Sequence, residues 1–283
     1  MMSIKDFMIL TKFNLSFTVT LSCLFGYVLH KNMIDINFLY PFCAVLLLAL
    51  GVSALNQVQE HEEDALMSRT KHRPIAAKRI SWKEGLIISS FLILISLFFI
   101  YKSLNFIGIF IFLFVIVVYN IFYTQAKKTT IYAGVYGAVL GVIPPLIGWV
   151  SAGGNIKDIG FLALALFYFI WQIPHFWLLN LKYYKDYEKA NFPTIAQRFG
   201  VHVLERVTFI WLLLTLLAGL FLIPVFVKSS ITIIGLLILV NIYTLYSIVK
   251  LMYTHNYLVT FIFINSYMLG VMILLMINAL FVI

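Results

Sequence analysis

Residues 56–74 read NQVQEHEEDALMSRTKHRP, in which a block of acidic residues is followed by a block of basic residues. The segment follows directly on an apolar stretch that is long enough to cross a lipid bilayer. Carboxylates and guanidinium groups are therefore expected side by side at a membrane surface. This combination of charges is typical of sites that bind a metal ion and a phosphate group.

The composition of the whole chain indicates a membrane protein. Hydrophobic residues make up 63% of the 283 residues and charged residues only 11%, with a mean hydropathy of +1.00. A soluble protein of this length could not bury so much apolar surface. The net charge of +9 could also suggest nucleic acid, but no basic stripe alternates with exposed aromatic residues, so we predict no nucleic-acid partner.

Hydropathy predicts nine transmembrane helices in a single domain that covers residues 1–283. Each span is expected to be helical, because backbone amides in hydrocarbon have no water to bond and no alternating barrel pattern is present. The first span is too long for a signal-peptide core and is expected to remain in the protein. The predicted spans are 13–29, 38–55, 85–101, 106–123, 131–150, 159–179, 207–226, 231–248 and 258–281.

The positions of Lys and Arg predict the orientation of these helices. A cytoplasmic N-terminus places 16 of the 20 Lys and Arg residues on the cytoplasmic side of the membrane. We therefore predict a multi-pass protein of the cell's inner (cytoplasmic) membrane with its N-terminus in the cytoplasm. Only the loops after the second and sixth spans are long, and both lie on this side, so the functional residues are expected there.

The first long loop contains a candidate metal site. Asn56, Glu60 and Asp64 are spaced by four, so they share one face if the second helix continues beyond the membrane. Carboxylates packed this closely repel each other, and their hard oxygen ligands favour Mg²⁺. Arg69 and Arg73, also four apart, could then bind diphosphate oxygens. The alternative interpretation of an acidic run is a solvated surface.

The pattern N-x-x-x-E-x-x-x-D-x-x-M-x-R-T-x-x-R-P in this loop resembles the first Asp-rich motif of the UbiA-type intramembrane prenyltransferases. Further segments are similar to the protohaem IX farnesyltransferase (haem O synthase) branch of that superfamily, and the similarity covers most of residues 54–200. These segments are YT and KKT within residues 123–129, GVIPPLIGW at 141–149, PHFW at 174–177 and KDYEKANFP at 185–193.

The chain also departs from the family pattern at three places. Glu60 stands where the family usually has Asp, and Glu62 replaces a further Asp that is often seen two residues later. Each glutamate keeps the charge and adds one methylene group. The run TIAQRFG at 194–200 is closer to other members of the superfamily than to haem O synthases, which bears on the identity of the acceptor.

The resemblance implies a bundle of nine transmembrane helices and a Mg²⁺-dependent enzyme. The implied reaction transfers a farnesyl group from farnesyl diphosphate to a vinyl group of protohaem IX (haem b), which gives haem O for the assembly of haem-copper oxidases. The implied partners are these two substrates, the lipid bilayer and a haem-handling membrane protein downstream. The implied catalytic and metal-binding residues are Asn56, Glu60, Asp64 and Asp186, and the implied diphosphate-binding residues are Arg69, Arg73, Lys127, Lys128 and Lys185.

His175 and Trp177 are the residues that the resemblance implies for haem or substrate binding. A histidine in this position could ligate haem iron, and the alternative is a histidine that is hydrogen-bonded within a polar bundle. The Pro144–Pro145 pair predicts a kink in the fifth span, because two backbone donors are missing there. Cys23 and Cys43 lie in apolar runs and are expected to be buried thiols.

Two other functions remain open at this point. The first is a prenyltransferase of the same superfamily that acts on an aromatic acceptor such as 4-hydroxybenzoate in quinone biosynthesis. The second is a transporter or channel, because buried charges also mark ion pathways. The polar residues cluster at the predicted cytoplasmic ends of the helices, and the two halves of the chain show no inverted repeat, so the sequence favours an enzyme.

Overall fold

The computed structural model describes residues 2–281, and the regular structure in this range is helical. A short 3₁₀-helix (Ile36–Phe38) and a π-helix (Val117–Tyr123) accompany thirteen α-helices. The α-helices are α1 (Ile4–Leu10), α2 (Phe13–Lys31), α3 (Leu39–Gln59), α4 (His61–Leu66), α5 (Trp82–Ile116), α6 (Thr124–Thr129), α7 (Ala133–Gly141), α8 (Ile143–Ser151), α9 (Ile159–Lys189), α10 (Ile195–Phe199), α11 (Val201–Phe226), α12 (Ile231–Tyr253) and α13 (Tyr257–Phe281).

The described part of the chain contains eight continuous helical segments that are long and apolar enough to cross a membrane. One of them, Trp82–Thr129, has 48 residues, which would extend about 72 Å as a straight helix against a hydrocarbon core of about 30 Å. It turns back on itself at Leu104 and Asn105, whose backbone angles are not helical. Counted as two spans, this segment brings the total to nine within residues 2–281 and confirms the predicted bundle.

The proline pair in the fifth predicted span divides it into two helices. α7 ends at Gly141, and α8 begins at Ile143 with the prolines in its first turn. Proline is well tolerated there, because the first turn of a helix has no intrahelical partner for its N–H groups. The kink that the sequence predicted is therefore present.

α2 contacts α8 at the level of the backbone. A Cβ atom on Gly26 would lie 2.2 Å from the carbonyl oxygen of Pro145, and one on Gly148 would lie 1.9 Å from that of Cys23. Glycine at both positions allows the two backbones to approach closely, as small residues do in membrane helix pairs. The GVIPPLIGW segment thus serves helix packing at Gly148.

Two apolar clusters fill the space between the helices. The larger joins residues of α2 and α8 to α9, α11, α12 and α13, and the smaller joins α2 to α3, α5 and α8. Because α2 contributes to both clusters and also packs on α13, the first and last spans close the helices into a ring. Cys23 is buried and Cys43 is half-buried, both as free thiols.

The N-terminal helix α1 lies at the same end of the bundle as the acidic loop. Leu10 is fully buried in a small cluster with Ala54, Ile75 and Ile80. The side-chain amide of Gln57 donates hydrogen bonds to the carbonyl oxygens of Ile9 at 2.7 Å and Leu10 at 3.0 Å. The N-terminal segment is therefore fastened to the end of α3, next to the candidate site.

Candidate active site

The acidic stripe predicted from the spacing is present. α3 ends at Gln59, Glu60 has non-helical backbone angles, and α4 follows at once. The i to i+4 backbone bonds nevertheless continue, since the N–H of Glu60 bonds to Asn56 and that of Asp64 to Glu60. Asn56, Glu60 and Asp64 are 1%, 3% and 1% exposed, so they form a buried face of the α3–α4 segment and not a solvated surface.

Each buried carboxylate of this stripe is paired with a cation. Arg73 Nη1 donates to both oxygens of Asp64, at 2.7 and 2.8 Å, and Lys127 forms a salt bridge with Glu60. We call these four residues the charged layer. At its outer edge, the more exposed Lys128 pairs with Glu63.

The carboxylate of Glu60 is ionised in this environment. Burial by itself would raise the pKa of Glu60. The neighbouring ammonium group of Lys127 lowers this pKa, with smaller contributions from Lys12 and the amide of Asn56. Together these contributions exceed the effect of burial. The pKa of Glu60 therefore lies below its ordinary value, and the side chain presents a charged oxygen ligand.

A π-helix positions the basic side of the charged layer. Gln59 at the end of α3 exchanges two hydrogen bonds with Asn120, at 2.9 and 3.1 Å, and Asn120 lies within the π-helix. This contact places Lys127 of the following helix α6 over Glu60 and over the ring of Tyr123, 4.9 Å from its centroid. π-helical turns are rare and occur frequently at functional sites.

Asp186 brings the second long loop to the same end of the bundle. α9 continues beyond its predicted end at residue 179 and bends at Tyr183, so Asp186 lies on its C-terminal extension. Ser68 Oγ donates a hydrogen bond of 2.5 Å to Asp186 Oδ2, and the guanidinium group of Arg69 lies 5.4 Å from the centre of the Tyr183 ring. The two loops, distant in sequence, are therefore in direct contact.

A small cavity of about 60 Å³ lies between the basic side of the charged layer and α9. Lys127, Tyr123, Phe176, Asn180 and Tyr187 are among its lining residues. It adjoins an outer depression of about 300 Å³ and shares Thr130, Ile131 and Pro193 with it. Aromatic rings and one ammonium group thus surround a space between the segment of residues 123–134 and α9 with the loop that follows it.

Three of the predicted site residues lie apart from the charged layer. Lys185 is exposed, and its ammonium group lies 6.0 Å from the ring centroid of Tyr184. His175 is half-buried in α9, where its Nδ1 lies 2.9 Å from Asn265 Oδ1. Trp177 packs edge-on against Trp211 of α11. Their assigned roles stay predictions.

Three further residues, not predicted from the sequence, contact the site. Lys12, counted only for membrane orientation, donates to Asn56 Oδ1 at 2.9 Å. Thr124 Oγ1 lies 3.4 Å from Asn56 Nδ2, and Ser68 holds Asp186. Thr124 and Ser68 both belonged to segments that resemble the family, but a hydroxyl group by itself gives no sequence signal for a site.

The oxygen donors of the site fit Mg²⁺ only if a phosphate-bearing ligand completes its shell. Within residues 2–281, no group of three or more His, Cys, Asp and Glu side chains could hold a metal ion. Mg²⁺ in proteins commonly takes one or two carboxylates, with phosphate oxygens and water in the remaining positions. Glu60, Asp64 and the amide oxygen of Asn56 provide such a donor set on one buried face.

The chain is similar to proteins of known family. The model of the UbiA prenyltransferase family matches residues 19–267. A protoheme IX farnesyltransferase from Oleidesulfovibrio alaskensis is 32% identical over 77% of this chain and 76% of its own length. A protoheme IX farnesyltransferase from Ehrlichia canis is 36% identical over 78% of this chain and 76% of its own length.

Solved structures share the fold at low sequence identity. A digeranylgeranylglyceryl phosphate synthase superposes with a TM-score of 0.76, at 16% identity, over 98% of both chains. A UbiA homologue from Archaeoglobus fulgidus, solved with GPP and Mg²⁺, gives a TM-score of 0.70 at 12% identity and covers 94% of this chain and 99% of its own.

Proposed function

The chain belongs to the UbiA prenyltransferase family, and we propose that it transfers a farnesyl group from farnesyl diphosphate to a vinyl group of protohaem IX. The relatives that support this donor and acceptor are protoheme IX farnesyltransferases at 32–37% identity. The alternative of a transporter has less support, because the buried carboxylates Glu60 and Asp64 and their cations lie together with Asp186 at one end of the bundle. We assign the activity to one transmembrane domain over residues 1–283.

The observation that carries the proposal is the buried charged layer beside an aromatic cavity. Ionisation of farnesyl diphosphate separates an anionic leaving group from an allylic cation, so the two products need opposite surroundings. Arg73 and Lys127 supply positive charge for the diphosphate. Tyr123, Phe176 and Tyr187 line the adjoining space, where ring faces could stabilise the allylic cation.

Asn56, Glu60 and Asp64 would hold Mg²⁺ in this proposal, with Asp186 on the opposite loop. When bound, Mg²⁺ would add positive charge at the diphosphate oxygens and so favour cleavage of the C–O bond. Arg73 and Lys127 now neutralise the two carboxylates that would face the metal. We infer that they move onto the diphosphate when substrate binds, because the metal then compensates Asp64 and Glu60.

The reaction balances without a redox step. Departure of diphosphate leaves the allylic cation at the first carbon of the farnesyl group, and the terminal vinyl carbon of haem b forms the new bond to it. The adjacent vinyl carbon then takes up water, which loses a proton. The product is a hydroxyethylfarnesyl haem, which we propose passes to a haem-handling membrane protein.

Substrate entry requires the loops to separate. The cavity of about 60 Å³ is far below the roughly 300–1,000 Å³ of small-molecule sites. The hydrogen bond between Ser68 and Asp186 joins the two loops, and we propose that it is the contact that opens. Positively charged loops that face the cytoplasm would place this entrance at the inner face of the cytoplasmic membrane, with the N-terminus inside.

Product mass distinguishes the proposed acceptor from the alternative. The detergent-solubilised protein would be incubated with Mg²⁺, farnesyl diphosphate and either haem b or 4-hydroxybenzoate. We expect haem b to gain one farnesyl group and one hydroxyl group, and 4-hydroxybenzoate to remain unchanged. A prenylated 4-hydroxybenzoate with unchanged haem would instead establish the aromatic acceptor.

A further inference from the structure

A cation without an acidic partner lies beside the charged layer. Lys12 is half-buried, and its Nζ bonds to Asn56 Oδ1 at 2.9 Å. Within residues 2–281 no salt bridge involves Lys12, whereas Arg73 pairs with Asp64 and Lys127 with Glu60. An amide oxygen carries only partial negative charge, so the charge of a protonated Lys12 is not neutralised by this contact.

The surroundings of Lys12 contain charges of both signs. Burial, together with the cations of Arg73 and Lys127, lowers the pKa of Lys12 to about 7, although the carboxylates of Glu60 and Asp64 act in the opposite direction. Because the Nζ atom contacts an amide oxygen and lies within no salt bridge among the described residues, an anionic ligand would be favourable at this position.

The backbone conformation at Lys12 and the contacts of α1 fix the position of this side chain. Lys12 joins α1 to α2 and has φ 48° and ψ 47°, a left-handed conformation that is unfavourable for a residue other than glycine. The contacts of α1 fix it there: Leu10 is buried, Gln57 bonds to the last carbonyls of α1, and Arg79 Nη2 forms a 2.9 Å salt bridge with Asp6.

We propose that Lys12 is a substrate-binding residue whose ammonium group, delivered by the N-terminal segment, binds the diphosphate of the prenyl donor beside Arg73 and Lys127. The inference rests on the proposed function and extends it to a residue outside the two long loops. It also gives α1 a role, because this short helix fixes Lys12 at the end of α3. An added diphosphate would supply the acidic partner that Lys12 lacks.

Binding measurements test this assignment without the acceptor. Lys12→Gln and Lys12→Arg would be compared with Lys5→Gln, which removes an exposed charge from the same segment. Isothermal titration would use Mg²⁺ and farnesyl thiodiphosphate, a non-hydrolysable analogue. We expect Lys12→Gln to weaken binding roughly 10- to 100-fold, as for loss of a charged hydrogen bond, with Lys12→Arg retaining most of the affinity and Lys5→Gln all of it.

A second measurement uses the wild-type protein and so does not depend on whether Lys12→Gln folds. Reductive methylation of lysines would be followed by mass spectrometry with and without Mg²⁺ and the analogue. We expect the ligand to slow methylation of Lys12 and to leave Lys5 unchanged. A purely structural role, in which Lys12 only orients Asn56, predicts no change at Lys12.

The outcomes separate this inference from the proposed function. If the wild-type protein shows no Mg²⁺-dependent binding of the analogue, the proposed function fails. If it binds the analogue but a folded Lys12→Gln variant binds equally well, only the assignment of Lys12 is overturned. The assignment is also overturned if the analogue binds and methylation of Lys12 is not slowed.

Discussion

Ser68 Oγ donates a 2.5 Å hydrogen bond to Asp186 Oδ2 across 118 positions of sequence. The backbone N–H groups of Ser68 and Arg69 also interact with this carboxylate. Asp186 therefore holds the loop that follows α4, and Met67 of that loop packs with Phe192 and Ala190 beside it. The acidic residue of the second loop and the basic block of the first are thus one structural unit.

Ser68→Ala should raise the KM for farnesyl diphosphate about 5- to 10-fold, with a smaller effect on kcat. The variant loses one hydrogen bond to a charged group, while the backbone contacts to Asp186 remain. Steady-state kinetics would measure the change. Ser103→Ala is the matched control, because it removes a 2.8 Å hydrogen bond to Ser151 near the turn at Leu104, away from the charged layer. Equal KM values for both variants would show that the contact between the loops does not contribute to binding.

Asp64→Asn should lower turnover at least about 100-fold and leave the helical content unchanged. The variant keeps the size of the side chain but removes the charge that Arg73 contacts through both oxygens. Product formation and circular dichroism would be measured on the same preparation. Glu62→Gln is the control from the same acidic block, and since Glu62 is exposed we expect near wild-type turnover. A fully active Asp64→Asn variant would remove Asp64 from the proposed metal site.

The helices were largely predictable because hydropathy and membrane thickness constrain them strongly. The break between residues 101 and 106 was placed correctly, and the structure turns at Leu104 and Asn105. The extension of α9 was missed, because its last turns carry Lys182, Lys185 and Lys189 and so look like a loop by hydropathy. A polar helix beyond the membrane is stabilised by its tertiary contacts, which a hydropathy profile does not include.

Spacing alone predicted the site only where side chains repeat along one helix, and the family resemblance supplied Lys127 and Asp186. A spacing of four brought Asn56, Glu60 and Asp64 together, because they share a single segment. Contacts between segments gave no such signal. Lys12 reaches Asn56 from 44 positions away, and its position depends on a left-handed backbone that propensity alone would not favour.

Glu60→Asp should keep turnover within about tenfold of wild type, whereas Glu60→Gln should lose at least about 100-fold. Aspartate is the residue usual in the family, and it retains the charge that pairs with Lys127. Glutamine leaves the Lys127 ammonium without its acidic partner in a buried site. Turnover and the affinity for Mg²⁺ would be compared across the three proteins. Similar losses in both variants would show that the site requires the length of the glutamate side chain as well as its charge.

Gly148→Ala should destabilise the protein by about 1–3 kcal/mol or more, the cost of overpacking a tight contact. The new methyl group would lie 1.9 Å from the carbonyl oxygen of Cys23 and 2.8 Å from the backbone nitrogen of Tyr27, so α2 and α8 must move apart. Gly235→Ala is the control, because a Cβ atom there meets nothing within 4 Å.

Thermal unfolding in detergent, followed by circular dichroism, would compare the two alanine variants with the wild-type protein. We expect a clear fall in Tm for Gly148→Ala and an unchanged or slightly higher Tm for Gly235→Ala, since alanine favours helix. A Cβ atom on Gly148 would meet backbone atoms of α2 and not the charged layer, so a loss of activity in Gly148→Ala should follow its loss of folded protein. An unchanged Tm would mean that α2 and α8 do not pack backbone to backbone and that the ring of helices closes differently.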